Sequence, residues 1–435
     1  MNNTKYKQTE IGEIPQEWNV VPLKNLIDIK HGFAFKGKYF SNTATQDILL
    51  TPGNVAIGGG YQEGKHKYYS GEVPQEYVME PGDIFVNMTD LSKTGDTLGY
   101  SAKVPHHKNN RFLHNQRLGL VSFISNDINR DFIYWKLRDP FYRSNVLGSA
   151  TGTTVKHTSP GRIKSIQIAL PTKNEQLQIA SILSVLDDKI EMNLKMNKTL
   201  EEMGKALFKR WFVDFEFPIE NGKPYKSNGG EMFNSELGEI PVGWKIVEIN
   251  DFGKIVCGKT PPKNNQKYFG GSIPFIKIPD MHGRIFIIKT EDSLTNDGAD
   301  YQKSKTLPMG SICVSCIATV GLVCITTQDS QTNQQINSII PNKSYYTEYL
   351  YFVLSSMKKQ LQDFASGGSA TLNLNTGSFS NIPMLSPSNE LLAKFHSVVE
   401  SIFEQVILNA IENERLSAIR DSLLPRLMSG KLRVN

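Results

Sequence analysis

At 435 residues, with 39% hydrophobic and 21% charged residues, the chain is too long for one ordinary core and suits two or three globular domains. No apolar run approaches the ~20 residues of a membrane span, Met1-Asn2-Asn3-Thr4-Lys5 opens no signal peptide, and four cysteines are too few for a disulfide framework; a cytoplasmic protein with no membrane partner is expected. A net charge of +5 leans towards an anionic partner without compelling one, because a small lysine excess on an ordinary surface produces the same value.

Near the start stands Gly12-Glu13-Ile14-Pro15-Gln16-Glu17-Trp18, which returns as Gly238-Glu239-Ile240-Pro241-Val242-Gly243-Trp244. Between the copies, Asp83-Ile84-Phe85-Val86 and Leu118-Gly119-Leu120-Val121-Ser122-Phe123 read as strands, bounded by Pro81-Gly82 and Asn126-Asp127. A helical stretch follows at Phe132-Ile133-Tyr134-Trp135-Lys136-Leu137. In the second copy the same places are filled by Ser311-Ile312-Cys313-Val314, Ile336-Asn337-Ser338-Ile339-Ile340 and Tyr349-Leu350-Tyr351-Phe352-Val353-Leu354. Each copy is thus expected to be a mixed α/β domain.

After each such domain the spacing turns helical. Ile179, Leu183, Leu186, Ile190, Asn193, Asn197, Leu200, Gly204, Leu207 and Trp211 alternate steps of four and three, a coiled-coil seam with two asparagines at its middle. The second copy reads Phe395, Val399, Ile402, Val406, Asn409, Asn413, Leu416, Arg420, Leu423 and Leu427, with asparagines in the same two places. Antiparallel pairing sets Asn193 against Asn413 and Asn197 against Asn409, and matches apolar residues almost throughout; Leu186 against Arg420 is the exception. Seam asparagines cost stability but fix register, since an Asn facing Leu in a shifted alignment is left unpaired. A helix of about 40 residues is roughly 60 Å long. The expected fold is α+β: domains at 1–172 and 218–387, separated by long antiparallel coiled-coil helices at 173–217 and 388–435, with a pseudo-twofold internal repeat.

Several motifs imitate chemistry. Gly253-Lys254-Ile255-Val256-Cys257-Gly258-Lys259-Thr260 fits the G-x-x-x-x-G-K-[ST] phosphate loop, which would make the chain a self-contained ATPase or nuclease. That loop needs a helix opening at Lys-Thr, and Pro261-Pro262 follows instead; the equivalent Gly32 precedes Phe33-Ala34-Phe35. The stretch from Gly59 to Lys65 matches less well. Cys313-Val314-Ser315-Cys316 lies in a strand-like run with no second C-x-x-C, so core cysteines are expected rather than a metal site. His106-His107 has no spaced partner. Glu63-Gly64-Lys65 lacks the Pro-Asp of a nuclease motif, no Asn/Asp-Pro-Pro-aromatic loop of an amino-methyltransferase is present, and no G-x-S-x-G occurs. No catalytic residue is assigned.

Residues able to read nucleic acid are spread over both domains. In the first, Arg111, Arg117, Lys156, His157, Arg162 and Lys164 sit in turn-rich stretches, where cations reach phosphates and Arg can fork onto guanine. In the second, Asn333, Gln334, Gln335, Asn373 and Asn375 carry amides of the type that pair with adenine edges. Singly, each also reads as an ordinary solvated loop residue; as a set they make base reading a candidate function.

The doubled Gly-Glu-Ile-Pro-x-x-Trp resembles the specificity subunits of type I restriction-modification systems. So do Leu170-Pro171-Thr172-Lys173-Asn174-Glu175-Gln176, Ala206-Leu207-Phe208-Lys209-Arg210-Trp211-Phe212-Val213-Asp214-Phe215 and the terminal Leu423-Leu424-Pro425-Arg426-Leu427-Met428-Ser429-Gly430-Lys431-Leu432. The resemblance covers the whole chain. It implies two target-recognition domains reading a bipartite double-stranded DNA target with an unread spacer, and no catalytic centre of the chain's own. It also implies two modification subunits that use S-adenosylmethionine, and restriction subunits that use ATP and Mg; none of these cofactors would bind the chain directly. One departure is Leu385-Ser386-Pro387-Ser388-Asn389-Glu390-Leu391, without the Glu-Gln of the first copy, so identical contacts at the two helix starts are not expected.

Overall fold

The computed structural model describes residues 5–64, 66–107, 109–125, 127–366 and 371–434. The opening residues 1–4, Asn126 of the Asn126-Asp127 turn, and Lys65 of the motifs at 59–65 and 63–65 lie outside that set. The chain divides into two units, one made of Met1–Ile190 with Arg415–Asn435 and the other of Glu191–Glu414. The division falls inside both long helices, so each unit owns part of each.

The first unit begins with the hairpin Tyr6–Thr9 and Gly12–Pro15. Its main sheet is antiparallel throughout, in the order Ser101–Lys103, Ile84–Asn87, Leu118–Phe123, Ile27–His31. A second sheet of five short strands sits in the same unit, where Arg111–His114 runs parallel to Asp47–Leu50. The strand Asn19–Pro22 pairs with Gln167–Leu170 and zips the start of the domain to its end. The second unit repeats this frame. Its hairpin is Met232–Ser235 with Gly238–Pro241, and Lys245–Glu248 pairs with Pro383–Ser386. Gly253–Cys257, Ile336–Pro341, Ile312–Ser315 and Val323–Thr326 form the matching antiparallel sheet, to which Phe286–Ile287 adds in parallel.

Side-chain caps open the two long helices. Thr172 Oγ1 accepts from Glu175 N ahead of Lys173–Phe208, and Ser388 Oγ accepts from Leu391 N at the head of Asn389–Met428. The first helix relaxes into a wider π-helical turn over Lys209–Val213. The second stops at Gly430, whose φ of 73° is a left-handed conformation that glycine adopts at no steric cost.

The seam is antiparallel in both units. In the second unit Asn193 Nδ2 donates to Asn413 Oδ1 (2.9 Å) and to Glu412 Oε2 (2.7 Å), and Asn409 Nδ2 donates to Asn197 Oδ1 (2.8 Å). Further along, the Trp211 and Phe395 rings meet at 5.7 Å, and Gly204 leaves room for Phe352: a Cβ there would stand 2.5 Å from its ring. In the first unit Ile179, Leu183, Leu424 and Leu427 join one buried cluster. The one mismatch of the seam, Leu186 against Arg420, is resolved by a neighbour: Asp187 accepts from Arg420 Nη1 and, at 2.6 Å, from Arg138 Nη1.

Each head motif seats the end of a long helix. Trp18 is fully buried, and its Nε1 donates to Glu175 Oε2 (3.0 Å). Glu175 also accepts from Arg433 (2.6 Å), whose guanidinium pairs with Glu17. In the second unit Trp244 is held by aromatic rings, stacked on Phe217 at 5.6 Å and edge-on to Phe215 at 5.4 Å. Where the first helix starts with the polar Glu175 and Gln176, the second buries Leu391 and Leu392, so the two helix starts do make different contacts.

The phosphate-loop reading of residues 253–260 is overturned. Gly253–Cys257, the first five residues of what would be the loop, is a strand, and no helix opens at Lys259-Thr260 among the described residues. Gly258 has a packing role instead: a Cβ there would stand 2.1 Å from Asn333 O, just as a Cβ on Gly32 would stand 2.1 Å from Asn115 O. The shared glycine belongs to the repeated frame, and the Lys-Thr after it to one copy only. Cys313, Cys316 and Cys324 are buried free thiols; burial pushes Cys313 up to about 12 and Cys316 to about 11, far from the thiolate form.

Two outcomes follow. Gly258→Ala should lower the melting temperature of the second unit, whereas Lys259→Ala should leave it within about 2 °C, since Lys259 contributes little to packing; equal losses in thermal unfolding would contradict the packing role. Burial raises the Asp187 carboxyl, but Arg138 and Arg420 outweigh it and hold it below the ordinary carboxylate range. Its contribution is therefore complete above about pH 4 and drains away as pH falls through the lowered value. Asp187→Asn should cost on the order of 3 kcal/mol at pH 7, because Arg138 is left buried with its charge uncompensated. The gap to wild type should narrow in thermal unfolding at pH 3.

Candidate nucleic-acid interface

In each unit, one residue at the end of a central strand ties together two segments that are far apart in sequence. After Ile84–Asn87, Met88 N donates to Arg117 O (2.9 Å) and Met88 O accepts from Thr158 N (3.0 Å). After Ile312–Ser315, Cys316 N donates to Gln335 O (2.8 Å) and Cys316 O accepts from Leu374 N (2.8 Å). The next residues repeat the match: Thr89 pairs with His157, and Ile317 bridges to Asn373. Two positions on, Ser159 caps the helix Pro160–Lys164 and Asn375 caps Thr376–Ser380. Arg117 therefore corresponds to Gln335, His157 to Asn373 and Ser159 to Asn375. One backbone frame displays different side chains in the two units.

In the first unit this frame gathers four of the six cationic candidates. Arg117 and His157 are exposed, and Lys156 and Arg162 are half-buried. His157 Nδ1 lies 3.2 Å from Thr89 Oγ1, and Arg162 Nη1 donates to Thr151 Oγ1 (3.2 Å). The other two candidates are committed within the chain. Arg111 forks onto Asp47 (2.7 and 2.8 Å), a bond that raises the guanidinium further above its ordinary value. Lys164 Nζ donates to Asp28 at 2.6 Å and holds that carboxyl below its usual range.

In the second unit the frame gathers all five amides. Gln334, Asn373 and Asn375 are exposed, Gln335 is half-buried and Asn333 is buried. Asn333 Nδ2 donates to Gln335 Oε1 (3.0 Å), so these two support each other. Gln334 Oε1 accepts from Thr260 Oγ1 (2.7 Å), and Asn375 Oδ1 accepts from Ser378 N (2.9 Å), a bond that does not use its amide nitrogen. Thr260 and Lys259 border this face: Lys259 N donates to Thr332 O, and its ammonium lies 5.4 Å from the centre of the exposed Tyr301 ring. The lysine of the phosphate-like motif thus supplies a cation beside the amides.

Sequence reasoning missed the support under the first face. Asp90 accepts from Ser92 N (2.7 Å), Thr97 N (2.6 Å) and Thr97 Oγ1 (2.6 Å), while the buried Arg143 donates to the carbonyls of Gly95 and Leu98. The Asp90-Leu91-Ser92 pattern carried a usable signal, since an aspartate two residues before a serine is suited to close a turn on its backbone. Arg143 carried none.

Comparison with known proteins agrees with this doubled frame. Residues 15–202 and again 241–419 match the family described as "Type I restriction modification DNA specificity domain". The chain is 42% identical over 342 residues to the type I restriction enzyme HindI specificity subunit of Haemophilus influenzae, covering 67% of this chain and 74% of that protein. It is 27% identical over 445 residues to the MjaIX specificity subunit of Methanocaldococcus jannaschii, covering 99% and 97%. The fold is shared with the crystal structure of a type I restriction-modification S subunit from M. genitalium, at a TM-score of 0.56 and 15% identity over 98% of this chain and 97% of that one. No helix among the described residues is long and apolar enough to cross a membrane. Two matches to one domain, arranged on a twice-built frame, place the chain in the family of type I restriction-modification DNA specificity subunits.

Proposed function

We propose that this chain selects the DNA target of a type I restriction-modification complex, each unit reading one half of a bipartite site with an unread spacer between. The observation that carries the reading is the shared frame with unlike displays. Arg117, Lys156, His157 and Arg162 on the first suit phosphates and guanine, and Gln334, Gln335, Asn373 and Asn375 on the second suit adenine edges. Half-sites read by such displays differ from each other, so the whole target is asymmetric. Arg111 and Lys164 act in this reading through their carboxylate partners, as supports rather than readers.

The chain itself carries out no bond chemistry in this reading. Two modification subunits, using S-adenosylmethionine, would methylate adenine at the selected sites, and restriction subunits, using ATP and Mg, would join them. In this reading the complex works in the cytoplasm.

Exchange of residues 1–172 for the corresponding segment of another family member, followed by methylome sequencing of cells carrying the system, tests the assignment. One half of the methylated motif should change and the other should persist. A change in both halves, or in neither, would overturn the division of labour between the units.

A further inference from the structure

The first recognition face carries an apolar side chain that the assignment above leaves unused. Leu91 follows the strand Thr89–Asp90, whose partner strand is Lys156–His157, and it is 67% exposed. A single exposed leucine is ordinary on a protein surface. The backbone that carries this one is not ordinary. Asp90, immediately before it, is only 6% exposed and takes three hydrogen bonds from Ser92 and Thr97. Thr97 in turn accepts from Asn87 Nδ2 (2.7 Å), and Asn87 Oδ1 accepts from Thr89 N (3.1 Å). Arg143 clamps the far side of the loop through two carbonyls, and a Cβ on Gly95 would stand 3.5 Å from the Lys156 side chain. Leu91 is thus presented by a rigid loop, with cations beside it.

The corresponding position in the second unit is also methyl-bearing and exposed. Counting on from Ile317, the partner of Asn373, it is Thr319. Before it, Ala318 holds a φ of 61°, rare for a residue with a side chain, and its N–H is fixed to Leu372 O (3.0 Å). Two unrelated local solutions, a hydrogen-bonded aspartate and a left-handed alanine, hold a methyl-bearing side chain outward at the same place in the frame.

We infer that Leu91 is a specificity-determining residue which contacts the C5 methyl of a thymine in the half-site read by the first unit. In the major groove that methyl is the one apolar mark on a base edge, and an aliphatic side chain is its natural partner. The cations around Leu91 meet the backbone and guanine edges, while the leucine separates T·A from C·G. The inference rests on the proposed DNA-reading function.

The test uses the full chain with its modification subunits and a duplex carrying the motif obtained from methylome sequencing. Each thymine of the first unit's half-site is replaced in turn by deoxyuridine, which keeps base pairing and removes only the methyl. At one thymine, deoxyuridine should weaken wild-type binding by about fourfold or more, the value of one buried methyl group. Leu91→Ala should bind the thymine duplex more weakly by a similar factor and lose its sensitivity to deoxyuridine at that position, with an unchanged melting temperature and an unchanged second half-site. A variant as sensitive to deoxyuridine as wild type would overturn the inference. So would a wild type indifferent to every substitution, as expected of a leucine wedged between bases, or a half-site containing no thymine. Absence of any sequence-selective binding by the wild-type complex would instead overturn the proposed function.

Discussion

Two amide contacts, Asn193 donating to Asn413 and Asn409 donating to Asn197, set the alignment on which the rest of the structure depends. Buried amides are poor sources of net stability, and here the Oδ1 of Asn193 is buried without a partner among the described residues. Their value is discrimination. Sliding one helix past the other by one turn would keep a single Asn pair opposed and set the other two amides against aliphatic seam residues, and sliding by two turns would keep no Asn pair opposed, leaving amides unpaired in an apolar seam. In the observed alignment Trp211 meets Phe395 in the second unit, and Asp187 lies where it can take both Arg138 and Arg420 in the first.

The fold is economical because one architectural problem is solved twice with different chemistry. Each domain zips the strand after its opening hairpin to its last strand, leads into a capped helix, and seats the end of a long helix on the head-motif tryptophan. In the first unit the seat is ionic, through Glu175, Glu17 and Arg433; in the second it is aromatic, through Phe215 and Phe217. The same economy governs the two candidate faces, where hydrogen bonds at Met88 and Cys316 hold equivalent positions and leave the displayed side chains free to differ. A frame held by backbone groups tolerates new side chains without being rebuilt.

How much of this was legible in the sequence depended on the range of the interaction. The repeat, the central strands, both long helices and the asparagine register were legible because each is written in local periodicity or in self-similarity. Arg420 looked like a flaw in the seam, because its partner Asp187 stands one position away from the residue that the repeat sets opposite it. Arg111 looked like a free reader, because Asp47 lies on a parallel strand that no local pattern announces. The phosphate motif was set aside on Pro261-Pro262 and on the repeat, but the reason for its glycine was not legible: Gly258 is required by close approach to Asn333, visible only when the backbone is in place. Of the candidate interface, the residue types were legible and their assembly was not, since the frame joins Thr89 to His157 and Ile317 to Asn373 across long stretches of chain.

The most direct measurement is a double-mutant cycle on the asparagine pair, with thermal and denaturant unfolding of Asn193→Leu, Asn413→Leu and the combined variant. If the amide pair fixes register, each single change should cost roughly 1–3 kcal/mol by taking away a hydrogen bond across the seam, and the double variant should recover most of that loss. Two losses that simply add would contradict it, and would reduce the asparagines to independent polar residues in the seam.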